Sequence, residues 1–187
     1  MAVIVVSGLP RSGTSLMMQM LRAGGVEILA DDHRPSDKDN PRGYFEYEPV
    51  KALQRDHSWV PQAEGKAVKV IAALLAYLPH HLRYKVILMK RDLGEVLASQ
   101  KTMLQRLGRQ GSDAGDAALG TIFAKQMAET ERWLAAQPHI SVLAVHYRDA
   151  VSHPEATARA VAEFTGLPLK VEKMALVIDP SLYRQRG

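Results

Sequence analysis

The chain reads as a three-layer α/β/α domain on a mostly parallel central sheet of about five strands. Three observations lead there. The β-branched run Ala2-Val3-Ile4-Val5-Val6 passes through a glycine-bracketed turn, Ser7 to Ser15, into the helical stretch Leu16 to Leu21. Further apolar runs at 26–29, 66–71, 85–90 and 140–146 alternate with segments of helical periodicity, the pattern of parallel strands joined by right-handed crossovers. Finally, 187 residues with 47% hydrophobic and 24% charged content, and no internal repeat or linker, make one domain spanning 1–187.

The elements follow in order. A first helix runs from about Thr14 to Ala23, with Leu16, Met17, Met20 and Leu21 as its apolar face, and Gly24-Gly25 ends it. Residues 30–43 form a polar loop with two prolines, long and ionisable enough to be functional. Glu48-Pro49 opens a helix through about His57, and a short apolar helix follows the strand at 66–71 and stops near Pro79. Asp92 and Glu95 have the spacing of a capping box for a helix reaching Leu107, with Val96, Leu97, Leu104 and Leu107 inward. Gly108 to Asp116 reads as a mobile loop. A long helix using Leu119, Ile122, Phe123, Met127, Trp133 and Leu134 stops before Pro138. Pro154 to Thr165 is a helix with Pro in its first turn and Gly166 at its end. The methionines of the first helix and Met103 read as core.

Composition removes several classes. A net charge of +4 suits an anionic small molecule and does not by itself argue for nucleic acid. With no cysteine there is no disulfide, thiolate metal site or cysteine nucleophile. The N-terminal apolar run lacks a preceding basic region, and no stretch has the apolar length of a membrane span, so a cytoplasmic location without membrane partners is expected. His57 reads as a helix-end residue and His80-His81 as a solvated turn, not as metal ligands.

The chemistry centres on Ser7-Gly8-Leu9-Pro10-Arg11-Ser12-Gly13-Thr14-Ser15. Gly8 to Ser15 has P-loop spacing, but Thr14 stands where a nucleoside-triphosphate loop has Lys. Loss of that charge-assisted phosphate contact forfeits about 1.5–3 kcal/mol. Asp92 sits behind Lys90-Arg91, where a metal cation would be repelled. A metal-dependent nucleotide kinase is thereby disfavoured, while the glycine-rich turn at a helix N-terminus still suits an anion. A second anion site is offered by Arg91 at a strand end and Ser99 about 2.2 helical turns further on.

Taken together, Pro10 to Ser15 and the Arg91-Asp92 strand end with Ser99 resemble the sulfotransferase family, whose donor is 3′-phosphoadenosine 5′-phosphosulfate (PAPS). Arg11 stands where the cytosolic branch has Lys, like the Golgi and bacterial branches, and Leu93 stands where many members have Pro. Asn40-Pro41-Arg42-Gly43-Tyr44-Phe45-Glu46 and His146-Tyr147-Arg148-Asp149 also look like bacterial members. The resemblance implies that Arg11, Ser12, Gly13, Thr14 and Ser15 cradle the 5′-phosphosulfate and that Arg91 and Ser99 hold the 3′-phosphate. It implies in-line sulfuryl transfer without metal to a hydroxyl or amine, Arg11 stabilising charge. Family members with Arg in the loop often carry an acidic residue about twenty positions later, which reaches Asp31, Asp32 and His33 as candidate bases; Glu46 is the rival, because Gly43-Tyr44-Phe45-Glu46 resumes order beside the presumed acceptor cleft. Tyr147 either contacts the nucleotide or packs at its strand end, and Arg184 and Arg186 either close over the 3′-phosphate or belong to a frayed tail. At this length a small-molecule acceptor, or a groove completed by a second subunit as a homodimer, both fit. The alternatives are a non-catalytic module binding adenosine 3′,5′-bisphosphate and, less favoured, the nucleotide kinase.

Overall fold

The computed structural model describes residues 1–31, 36–37, 40, 43–106, 108 and 113–179. Five strands form the sheet: β1 (Val3–Gly8), β2 (Ile28–Leu29), β3 (Ala67–Lys69), β4 (Tyr84–Lys90) and β5 (Ile140–His146), in the order β2-β3-β1-β4-β5. Every pairing is parallel. Six helices accompany it among the described residues: α1 (Thr14–Gly24), α2 (Leu93–Arg106), α3 (Asp113–Ala135), α4 (Tyr147–Ser152), α5 (Pro154–Thr165) and α6 (Val171–Leu176).

The continuous apolar run of β1 is explained by its position. All six of its residues are buried, as expected for a central parallel strand covered on both faces. Val3 and Val5 pack with Val68, Val86 and Leu88 against Leu134 of α3 and the segment holding Leu53, Trp59 and Leu75. Ile4 and Val6 pack with Ile87 and Met89 against Met17, Met18, Met20 and Leu21 of α1, Val161 of α5 and Met174 of α6. The period of two in the strands therefore divides the core into two layers. β5 is an edge strand and is less buried. Lys85 donates at 2.9 Å to the carbonyls of both Phe164 and Thr165, placing a cation on the free C-terminal carbonyls of α5.

The alternating architecture expected from the sequence is present, with local corrections. Residues Glu48–Ala52 form a 3-10 helix rather than an α-helix running to His57, and Ala72–Tyr77 is also 3-10. α3 begins at Asp113, inside the stretch 108–116 read as loop, so it takes in Gly115, one of the glycines that argued for a break, as well as Gly120. Ile122, expected in the core, is 59% exposed. Only half of the expected capping box forms: the Glu95 N–H donates to Asp92 Oδ1, but the Glu95 carboxylate turns to Arg91. Two short helices escaped the pattern, α4 and α6; each spans six residues, too few for a periodicity to show. Gly25 caps α1 in the left-handed conformation, as the paired glycines imply. No helix among the described residues is long and apolar enough to cross a membrane.

α6 docks on α1 through fully buried Met174, whose Cγ and Sδ lie over Gly24 so closely that an added Cβ there would stand 2.9 Å away. Met174→Ala is expected to lower stability by about 2–5 kcal/mol. Urea unfolding checks this as a lower midpoint at unchanged slope.

Candidate functional site

Sheet register assembles the site. Val6 lies opposite Lys69, Gly8 opposite Met89 and Lys90 opposite His146. The strands β3, β1, β4 and β5 thus bring Lys69, the loop after Gly8, Arg91 and Tyr147 side by side along their carboxyl ends. The chain winds from β1 toward β3 on one side and returns to β4 on the other, so the loop after β1 sits where the strand order reverses, the crevice in which open α/β sheets bind ligands.

Within that loop the backbone takes the left-handed region at Arg11, φ 68°, and at Gly13, φ 99°. A Cβ on Gly13 would stand 2.4 Å from Cδ2 of Tyr147, so close packing as well as conformation requires glycine there. Gly13 occupies the N-cap position of α1 and offers no side-chain cap, and the first turn holds no acidic residue. The N–H groups of Thr14, Ser15 and Leu16 meet no acceptor among the described residues. A helix start left open in this way presents donors and a positive dipole end to whatever enters the cavity before it.

Two arginines tie this loop to the second motif. Arg11 Nε donates to Ser99 Oγ at 3.0 Å, and Arg91 Nη1 donates to the Arg11 carbonyl at 3.2 Å. Arg91 Nε donates to Glu95 Oε2 at 2.8 Å, with both side chains about nine-tenths buried. The Arg91 guanidinium lies 4.4 Å from the ring centroid of Tyr147, within cation–π range. Burial pushes the Tyr147 phenol above its ordinary value, opposed in part by Arg91, so it remains protonated at neutral pH.

On the β3 side stands a residue that motif reading missed. Lys69, at the end of β3, donates to the Tyr44 carbonyl and lies 3.7 Å from Glu46 Oε1. Its side chain is 10% exposed. The Ser15 hydroxyl donates to the same Tyr44 carbonyl at 3.4 Å, fastening the 44–46 segment over the helix start. The Tyr44 hydroxyl in turn donates to the Asp37 carboxylate at 2.8–2.9 Å.

These groups surround one cavity of about 510 Å³, a size suited to a nucleotide-scale ligand. Of the residues expected at the site, Arg11, Gly13, Thr14, Ser15, Arg91, Ser99, Tyr147 and Glu46 all line it. Ser12 does not. Its N–H and its hydroxyl both donate to the Leu9 carbonyl, at 3.2 and 2.7 Å, so it braces the turn from within instead of offering its N–H to an anion. Asp31 accepts the Glu48 N–H at 2.5 Å, capping the 3-10 turn. Asp32, His33, Arg184 and Arg186 lie outside the described residues. Leu16 and Met103, both expected in the core, line the cavity instead. Lys69 had one sequence signal, a charge breaking an apolar run near a strand's carboxyl end.

A model of the sulfotransferase family matches residues 54–171. That span includes Arg91, Ser99 and Tyr147 and begins after the loop and Glu46. A sulfotransferase from Alicyclobacillus acidocaldarius superposes at a TM-score of 0.55, with 15% identity over 97% of this chain and 88% of the other. The sulfotransferase domain from the curacin biosynthetic pathway superposes at 0.51, with 14% identity over 100% of this chain and 78% of that one. A sugar kinase from Janibacter sp. superposes at 0.47, with 15% identity over 97% of each chain, which is too loose to bear on the chemistry. No curated protein matches the sequence. At these identities the superpositions establish the shared fold, a parallel five-stranded sheet between helical layers. The family match spans well over half of the sequence and takes in the second motif: this chain belongs to the sulfotransferase family.

Proposed function

We propose that the protein transfers a sulfuryl group from 3′-phosphoadenosine 5′-phosphosulfate to an acceptor hydroxyl or amine. The observation that carries this reading is the joining of two anion sites in one cavity. The open start of α1 behind Arg11 lies on one side and Arg91 with Ser99 on the other, linked through Arg11. A ligand anionic at two separated positions fits that arrangement better than one with a single phosphate chain.

The residues present fit such a donor. The N–H groups of Thr14, Ser15 and Leu16 receive the 5′-phosphosulfate, and Arg91 and Ser99 the 3′-phosphate. Tyr147 lies against both Gly13 and Arg91 and gives the nucleoside a flat neighbour. In the transfer, the acceptor's O–S or N–S bond forms as the bond from sulfur to the 5′-phosphate oxygen breaks. Charge grows on oxygens facing Arg11 and the helix start, where fixed donors stabilise it. Arg11 remains protonated and acts electrostatically.

Glu46 is the base in this reading. It lines the cavity on the β3 side, away from the nucleotide groups, whereas the Asp31 carboxylate is engaged by the Glu48 N–H. Lys69 beside it holds the carboxylate in place and offers an ammonium to the transferring group. A carboxylate beside the helix start, joined to it through Lys69 and the Tyr44 carbonyl that Ser15 also bonds, suits a transferase more than a module that only binds nucleotide.

Arg91→Ala is expected to weaken adenosine 3′,5′-bisphosphate binding by about 10–150-fold, the equivalent of one charge-assisted contact. Binding of adenosine 5′-phosphate should fall by clearly less, through loss of the Arg91 hold on the Arg11 carbonyl alone. Titration calorimetry of both ligands is the check, and equal losses would contradict the division of the site. Glu46→Gln is expected to lower kcat by about 10²–10⁴-fold. Steady-state kinetics should find that loss with nucleotide affinity unchanged. A parallel loss of affinity would assign Glu46 to binding.

A further inference from the structure

Beyond the Glu46–Lys69 pair the cavity changes character. Its wall there is made by Tyr47 and Val50 from the segment after Glu46 and by Val70, Ile71 and Leu74 following β3. Met103 of α2 faces the same cavity. Tyr47, Val50, Val70 and Leu74 belong to one packed cluster that continues under the sheet, and Tyr47 is braced edge-on by the Trp59 ring at 5.4 Å. This wall is therefore an extension of the rigid core. Ile71 is the exception in exposure: it is 49% exposed although it stands two residues beyond Lys69.

Charge at this end is balanced locally. Glu46 faces Lys69 at 3.7 Å, and Lys51 at the rim is paired with Glu48 at 2.7 Å. A sugar would bring most of its hydroxyls against the carbon of Tyr47, Ile71, Leu74 and Met103, where Asn40 and the already paired Lys51 offer few partners, so several would lose water unreplaced. An anionic acceptor would meet the Glu46 carboxylate. An apolar body instead covers Ile71 and the wall beside it, removing aliphatic surface from water.

We infer that the acceptor is an uncharged alcohol or phenol with an apolar body, its hydroxyl at the Glu46–Lys69 pair and its body against Tyr47, Ile71, Leu74 and Met103, which the buried Val50 and Val70 support from behind. The inference rests on the sulfuryl-transfer reading above. The step balances as follows. The acceptor oxygen bonds to sulfur as its proton passes to the Glu46 carboxylate, and the bond between sulfur and the 5′-phosphate oxygen breaks, releasing adenosine 3′,5′-bisphosphate and a sulfate monoester.

The test uses the full chain with PAPS as donor and compares 2-naphthol with methyl β-galactopyranoside as acceptors, reading the sulfated product. Calorimetric binding of adenosine 3′,5′-bisphosphate is measured first; its absence would overturn the sulfuryl-transfer reading and this inference with it. Where the nucleotide binds, 2-naphthol is expected to be sulfated with at least a tenfold higher kcat/KM than the glycoside. Faster transfer to the glycoside, or transfer to neither acceptor, overturns the acceptor assignment and leaves the nucleotide site standing. Ile71→Asn is expected to raise KM for 2-naphthol about tenfold at unchanged nucleotide affinity, and Ile71→Val to stay within about threefold of the parent. An Ile71→Asn enzyme with unaltered KM also overturns it.

Discussion

The arrangement of the cavity depends on the guanidinium of Arg91. Through one side chain it joins the end of β4, the first turn of α2 at Glu95, the loop after β1 at the Arg11 carbonyl, and the start of α4 at Tyr147. Burying this cation is costly, and the equally buried Glu95 offsets that cost by Coulomb attraction and a hydrogen bond. Such a pair adds little net stability against an apolar replacement, so its value is geometric. A planar fork held by Nε on one carboxylate and by Nη1 on a carbonyl cannot rotate freely. The group is thus oriented before any ligand arrives, which lowers the cost of ordering it on binding.

That constraint also accounts for the backbone of the first loop. A non-glycine residue at φ 68° is uncommon and costs local energy, and Arg11 holds this conformation with its carbonyl fixed by Arg91 and its side chain fixed on Ser99. The Arg11 carbonyl is taken up by Arg91, while Ser12 closes the loop from inside on the Leu9 carbonyl. What remains facing the cavity are donors: the N–H groups at the start of α1 and the Arg11 guanidinium. Thr14, which had looked like a defect in a triphosphate loop, belongs to this donor-rich end without adding a cation.

How much of this was legible before the structure follows from what each feature depends on. The central strands were legible because burial on both faces makes them unbroken apolar runs, as in β1 and β4. That Arg11, Arg91 and Ser99 meet in one cavity was legible because the glycine-rich loop and the strand-end arginine, each ambiguous alone, together match a family pattern. Lys69 was not, because its meaning lies in the register of β3 against β1, and a sequence does not state which strands pair. Leu16 and Met103 were misassigned for a related reason: helical periodicity reports which face is apolar, not whether that face meets core or cavity. The 3-10 turn at Glu48–Ala52 kept the composition of a helix start while tertiary packing set its geometry.

The strand order also orders the chemistry. Because β3, β1, β4 and β5 are neighbours in that sequence, Lys69 with Glu46, the anion loop, Arg91 with Ser99, and Tyr147 succeed one another across one edge of the sheet. An in-line transfer needs the attacking atom and the leaving group on opposite sides of the transferred group. If the nucleotide's 3′ end lies toward β4 and β5, as proposed, the side left for attack is the β3 side, and there the cavity holds a carboxylate, an ammonium and an apolar wall. Reversing the polarity would put the acceptor against Arg91 and Tyr147, where a phenol held protonated by burial and a cation engaged by Glu95 offer no acceptor for the departing proton. In the proposed reaction the direction of transfer would follow from sheet topology before any side chain at the acceptor end is considered, and Glu46 is the proposed base because it lines the cavity on the side left for attack.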